Sequence, residues 1–249
     1  MVNRFHLSIV ILALIIVLAT MGTAKAQERA YHIEHEWVKI WINQDGTIDL
    51  FYDMSLTLDF GQEINRVFIG QPQGDFTIGE AFDQYGRLLP TSDESSGSDY
   101  KVLVNLYEPL RAGETARFNL TTNVARMLWA DLENEGNVGM QFTPTWWAQA
   151  SISDLRILVV LPNGVSSDMV KTTEVLWNNT VIDDGRLGVY WEAQNLSPDE
   201  RYPVGVSFPA EYVENYETQP TGLMAFLQDY GLILVASVFG IIVIVAIIY

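Results

Sequence analysis

Between Ile48 and Phe60 every second residue is apolar. Ile48, Leu50, Tyr52, Met54, Leu56, Leu58 and Phe60 are apolar, and the residues between them, Phe51 apart, are Asp, Ser or Thr. In an extended chain successive side chains point to opposite faces, so this pattern puts the apolar groups on one side and the carboxylates on the other. A helix would scatter the same residues around its circumference. The stretch is therefore read as a long, half-buried strand. Upstream, residues 33–42 are rich in β-branched and aromatic types, and Asn43-Gln44-Asp45-Gly46 supplies turn chemistry, so 31–60 is expected to form a β-hairpin.

Shorter pieces of the same grammar follow. Strands are expected over 66–70 and 75–82, around Val102, Val104 and Leu106, and again over 116–124, with a polar surface loop at 90–99. A second series is expected at 137–143, 155–161, 173–177, 188–192 and 202–208. Many short strands with regularly spaced turns imply an all-β chain of one or two immunoglobulin-like β-sandwich domains. The two-domain reading assigns 27–125 to the first sandwich and 126–215 to the second, with the boundary near Ala125 to Gly136. One larger sandwich fits the same pattern.

Composition decides where such a domain resides. The 249 residues are 49% hydrophobic, yet they carry 31 Asp and Glu against 14 Lys and Arg. The excess apolar content lies at the two ends. Arg4 precedes an apolar run from Phe5 to Met21, and Ala24-Lys25-Ala26 is an A-x-A cleavage signature, so 1–26 reads as a signal peptide. An uncleaved signal anchor would export the same chain. From Leu232 to Ile248 there are 17 uncharged residues bracketed by Tyr230 and Tyr249. As a helix, 230–249 would cover about 30 Å, the thickness of a bilayer core. It is read as a transmembrane helix behind a juxtamembrane linker, 216–229. Ala236 and Gly240 form a small-xxx-small pair through which two such helices would oligomerise.

Residues 27–229 retain 12 basic and all 31 acidic residues, a net charge of −19. That balance excludes a nucleic-acid partner, which needs a basic face to displace counterions. The absence of cysteine excludes disulfide scaffolds, thiol catalysis and Cys-ligated metal sites. An exported chain without disulfides points to a bacterial or archaeal envelope: a single-pass membrane protein with its bulk outside the cytoplasm.

The segments Trp37-Val-Lys-Ile-Trp-Ile-Asn-Gln-Asp45-Gly46-Thr-Ile-Asp-Leu50 and Leu155-Arg-Ile-Leu-Val-Val-Leu-Pro162 place strand, Asp-Gly turn and strand after a signal sequence and ahead of a membrane helix. In that order the chain resembles predicted membrane proteins of unknown function from bacteria and archaea, which have an extracytoplasmic N-terminal β domain. The resemblance touches about a third of the chain. It implies topology only, because that family has no catalytic residues to carry over.

The nucleophile elbow, the His-Glu-x-x-His zinc motif, the phosphate-binding loop and the dinucleotide fingerprint are absent from the sequence. His32-Ile-Glu34-His35-Glu36 is the one transition-metal candidate. On a regular strand, however, His32, Glu34 and Glu36 share one face and His35 takes the other, so the cluster reads as a solvated strand face. Asn43-x-Asp45-Gly46-x-Ile48 matches the middle of a calcium loop, but Trp41 and Tyr52 stand where its outer acidic ligands belong, and a hairpin turn explains the same residues. Asp131, Glu133 and Glu135, with Asp183 and Asp184, are loop carboxylates suited to calcium, against a solvated-loop alternative.

Trp146-Trp147 is the candidate ligand-binding pair. Adjacent side chains in extended backbone diverge, so one ring is expected outside, available to a sugar or a partner; a core tryptophan capping a loop is the alternative. Asn119 and Asn178 stand in Asn-x-Thr glycosylation acceptors. The leading expectation is a non-catalytic, membrane-anchored cell-surface protein that presents β-sandwich modules to other envelope proteins or glycans. A carbohydrate-binding protein using Trp146 or Trp147 is the alternative, and an envelope glycoside hydrolase using paired carboxylates is the third.

Overall fold

The computed structural model describes residues 29–173 and 175–218. The expected signal peptide with Ala24 and Ala26, and the expected membrane helix with Ala236 and Gly240, lie outside the described residues. Among those described, no helix is long and apolar enough to cross a membrane.

Fourteen strands make up the described chain: β1 Ala30–Ile42, β2 Ile48–Phe60, β3 Ile64–Gly70, β4 Phe76–Asp83, β5 Thr91–Asp93, β6 Lys101–Leu110 and β7 Thr115–Val124, then β8 Trp129–Ala130, β9 Asn137–Phe142, β10 Ile152–Val160, β11 Lys171–Thr172, β12 Asn179–Asp183, β13 Arg186–Leu196 and β14 Val204–Pro209. They form a seven-stranded sheet in the order β12-β13-β10-β1-β2-β7-β4, a four-stranded sheet β11-β14-β9-β8 and a three-stranded sheet β3-β6-β5. The inward side chains of all three sheets join one apolar cluster in a sandwich-like arrangement.

The alternation in β2 does what its period demands. Ile48, Leu50, Tyr52, Met54, Leu56 and Leu58 are buried, while Phe60, past the end of the inner face, is exposed. Burying each large apolar side chain contributes roughly 1.5–3 kcal/mol, and Trp191, Phe118, Phe142 and Phe208 extend the same core from β13, β7, β9 and β14. Every neighbouring pair in the large sheet is antiparallel except β1 with β10, which runs parallel from Ile33↔Ile152 to Trp41↔Val160. The large sheet thus takes strands from both sides of 125–136. Arg186 ties three strand ends together, donating to the carbonyls of Ile42, Val160 and Leu161.

Two local expectations are corrected. The polar loop at 90–99 contains β5, which pairs with Val102–Val104 of β6. The strand expected over 173–177 is displaced to β11 and β12 on either side of it. There the Val175 carbonyl accepts the Trp191 indole N–H at 3.1 Å, so it serves a side chain in place of a ladder.

The β1–β2 hairpin closes as its turn residues predict: Asn43 N–H donates to the Thr47 carbonyl, and Gly46 N–H to that of Asn43. Asp45 caps the turn by accepting from the Thr47 amide and hydroxyl. The C-terminal end of the described chain packs here, with Glu214 N–H on the Gln44 carbonyl and Asn215 Nδ2 on the Asp45 carbonyl. Gly46 has φ +86°, and a Cβ there would run into the Asn215 carbonyl; Gly113 has φ +81° with open space around it. Gly46→Ala is therefore expected to cost more than Gly113→Ala, about 3 kcal/mol against about 1, because only the first adds a backbone clash to left-handed strain. Urea denaturation of the two variants checks the difference.

Candidate functional site

A bulge in β1 creates the site. The β1–β2 register shifts between Ile33 and His35, so the inward phase passes from Ile33 to Glu36, Val38, Ile40 and Ile42. Glu36, read from sequence as part of a solvated face, is fully buried. Its carboxyl oxygens accept the Thr145 backbone N–H at 2.7 Å and the Trp147 indole N–H at 3.0 Å. No Lys, Arg or His is among the groups that act on it, and burial pushes the carboxyl up to about 8 against the pull of those two donors. The Thr145 hydroxyl beside it is buried without a hydrogen-bond partner.

Other buried polar groups lie near Glu36 in the apolar core. The Tyr52 hydroxyl donates to the Gly70 carbonyl at 3.3 Å, and the Thr122 hydroxyl donates to the Gln71 side-chain oxygen at 2.9 Å. Burial, and then the nearby Glu36, hold the Tyr52 phenol well above the usual range, so it stays neutral. A lone buried acid costs several kcal/mol when ionised, and an apolar side chain of similar size would cost nothing comparable. What this one holds is the root of the β9–β10 connection, residues 143–151.

The two tryptophans diverge as expected. Trp147 turns in, its indole on Glu36 and its ring edge-on to Tyr31 at 6.2 Å. Trp146 turns out, 44% exposed, with the Arg201 guanidinium 4.1 Å from its ring centroid. Such cation–π contacts contribute roughly 0.5–1 kcal/mol at exposed positions. Asp199 N–H donates to the Trp147 carbonyl at 3.0 Å, so 143–149 and the 197–201 loop form one surface.

The other candidates are dispersed. Asp131 accepts from the Glu133 and Asn134 backbone amides and from the Asn134 side chain, capping its own turn. With Glu133 it lines a cleft of about 900 Å³ beside Trp129, Leu132, Met140 and Lys171. Glu135 is exposed in the same turn. Asp183 is engaged elsewhere, with Lys39 and Trp41. Among the described residues no group of three or more His, Asp or Glu is placed to hold a metal ion. Asn119 lies half-buried in β7, its side-chain oxygen accepting the Phe82 N–H. Asn178 is exposed, and its oxygen accepts the Glu192 N–H.

The outward face of the large sheet carries a connected set of charges and rings. Asp53 accepts from His35 and Arg117; burial raises its carboxyl, but these bonds outweigh that and hold it at about 2. Trp37 stacks on His35 at 4.2 Å and donates its indole N–H to Asp154. His32 bonds Asp59 and Glu34, so the two histidines engage different carboxylates.

No protein-family model and no curated protein matches the sequence. Among solved structures the chain is similar to an M1 zinc metallopeptidase from Deinococcus radiodurans, at 16% identity and a TM-score of 0.49 over 74% of this chain and 43% of that one. It is similar also to a mutant of that organism's M1 zinc metallopeptidase bound to a Tyr-Ser-Ala substrate, at 15% identity and a TM-score of 0.49 over 75% and 44%. The chain spans less than half the length of these structures.

The raised Glu36 carboxyl makes stability depend on pH. Below its ordinary 4.5 the group is protonated folded or unfolded. Between 4.5 and about 8 the unfolded chain releases the proton and the folded chain keeps it, so stability falls as pH rises and levels off above about 8. The slope is about 1.4 kcal/mol per pH unit, roughly 5 kcal/mol in all. Asp53 acts oppositely: its contribution is present above 3.8 and is lost as pH falls towards about 2. Urea denaturation from pH 5 to 8 is expected to show the decline in the wild type and to lose most of it in Glu36→Gln.

Proposed function

We propose that this chain is a non-catalytic, membrane-tethered extracytoplasmic protein whose β scaffold presents the surface formed by 143–149 and 197–201 to another envelope component. The observation that carries the reading is Trp146: a large aromatic ring held outside, next to an Arg, on a connection pinned at its root by Glu36. Exposed Trp and Arg side chains on a rigid frame are the composition of interaction hot spots, where aromatic area and guanidinium donors give affinity at small entropic cost. Folds tolerate a local violation such as a buried acid chiefly where it serves a site. Export and tethering rest on the two apolar runs of the sequence and on the −19 charge between them.

A glycan is the favoured class of partner contact on one observation, the 44% exposure of the Trp146 ring, since an indole face is a stacking surface for a sugar. Tryptophan fluorescence of the full chain, titrated with cell-wall polysaccharide at pH 6, should change in the wild type and lose most of its amplitude in Trp146→Ala. A flat wild-type titration removes the glycan and leaves a protein partner. Release of reducing sugar would overturn the non-catalytic reading. For the tether, the protein is expected to stay with membranes through salt and carbonate washing and to leave only with detergent; release by either wash overturns it.

A further inference from the structure

We propose that Glu36 is a proton-operated clasp on residues 143–147: the protonated carboxyl keeps the connection seated and Trp146 presented, and loss of its proton to solvent accompanies release of the connection. The geometry is that of a two-state device. Glu36 sits on the inner face of β1, a strand paired on both edges, and does not move with the connection. The groups it holds, Thr145 N–H and the Trp147 indole, both belong to the connection, which has no strand of its own between Phe142 and Ile152. Beyond Glu36, the ties on 143–149 are Asp199 N–H to the Trp147 carbonyl and the Arg201 guanidinium over the Trp146 ring, both from the 197–201 loop. The buried ends, Phe142 and Ala150, remain as anchors when the middle lifts.

Burial is what keeps the carboxyl protonated in the seated state, against the Trp147 indole and the Thr145 amide and hydroxyl, all of which favour the charged form. The surroundings add no competing charge. In register with Glu36 stand Met54 on β2 and Leu155 on β10, both apolar. Tyr52 on β2 and Tyr31 on β1, the phenols on this side, are both raised by burial and stay neutral. Gln71, Thr122 and Thr145 do not titrate. His32 is held above its ordinary value, burial lowering it and the bonds to Asp59 and Glu34 outweighing that, and a Glu36 variant leaves those contacts in place.

Once the connection lifts, water reaches the carboxyl and it titrates near its ordinary 4.5, while the seated form holds its proton to about 8. Linkage then makes the lifted population grow about tenfold per pH unit from about pH 5 to 8 and level off beyond. The consequence for partner binding rests on the reading of Trp146 above; the clasp itself does not.

Hydrogen exchange on the full chain, corrected for the intrinsic pH dependence of amide exchange, tests the proposal at two amides, Thr145 and Ile40 in β1. The Thr145 protection factor is expected to fall about tenfold per unit between pH 5 and 8. It should lie at least tenfold below that of Ile40 throughout and respond weakly to added urea. Glu36→Gln should abolish the pH slope at Thr145, and Trp147→Phe, which keeps the ring and removes the donor, should lower protection at every pH. A wild-type Thr145 protection factor independent of pH overturns the proposal. So does equal protection and equal urea response at Thr145 and Ile40, since the proton would then leave only on global unfolding. The wild-type comparison decides even if a variant does not fold. A flat polysaccharide titration beside a pH-dependent Thr145 amide would remove the glycan reading and leave the clasp standing.

Discussion

β1 is paired along both edges over nearly its whole length, antiparallel to β2 and parallel to β10, and the rest of the molecule is arranged around that fact. The antiparallel partner is reached through a short turn. The parallel partner requires the chain to cross over, and the intervening residues supply the three-stranded sheet together with β8 and β9 of the four-stranded one. Because β1 cannot shift without breaking two ladders, a side chain on its inner face has a fixed position. Glu36 inherits that rigidity, which is why an acid there can serve as a reference point for a connection far away in sequence.

What was legible in the sequence was what local periodicity controls. The β1–β2 hairpin, its turn and the burial of alternate residues in β2 follow from period two and from Asn43 to Gly46. The β1–β10 pairing was not legible, because a parallel ladder leaves no turn signature and both strands read simply as apolar. Nor was the burial of Glu36, since a bulge reverses strand phase without changing composition. A signal did exist: Glu36, Val38, Ile40 and Ile42 share parity, and extending the inward phase of the apolar three backwards by one step reaches the acid.

The tryptophan pair shows how far a spacing argument carries. Divergence of Trp146 and Trp147 follows from backbone geometry alone, and the structure has it. Which ring turns in, and what meets it there, depends on a carboxylate more than a hundred residues earlier, information that no local window contains. The loop acids around Asp131 make the opposite point. Asx-type capping of their own turn, where Asp131 meets the Glu133 and Asn134 amides, uses the same oxygens a cation would need.

The contact between Asn215 and the β1–β2 turn gives the molecule a polarity. β1 begins at Ala30 and reaches that turn thirteen residues later, at the pole where the described chain also ends. The β9–β10 connection rejoins the sheet at Ile33, about 30 Å back along the strand at about 3.3 Å per residue. Thr145 and Trp147 meet β1 at Glu36, six residues or about 20 Å back from Ile42, so the Trp146 surface is set apart along the strand from the turn against which Asn215 packs.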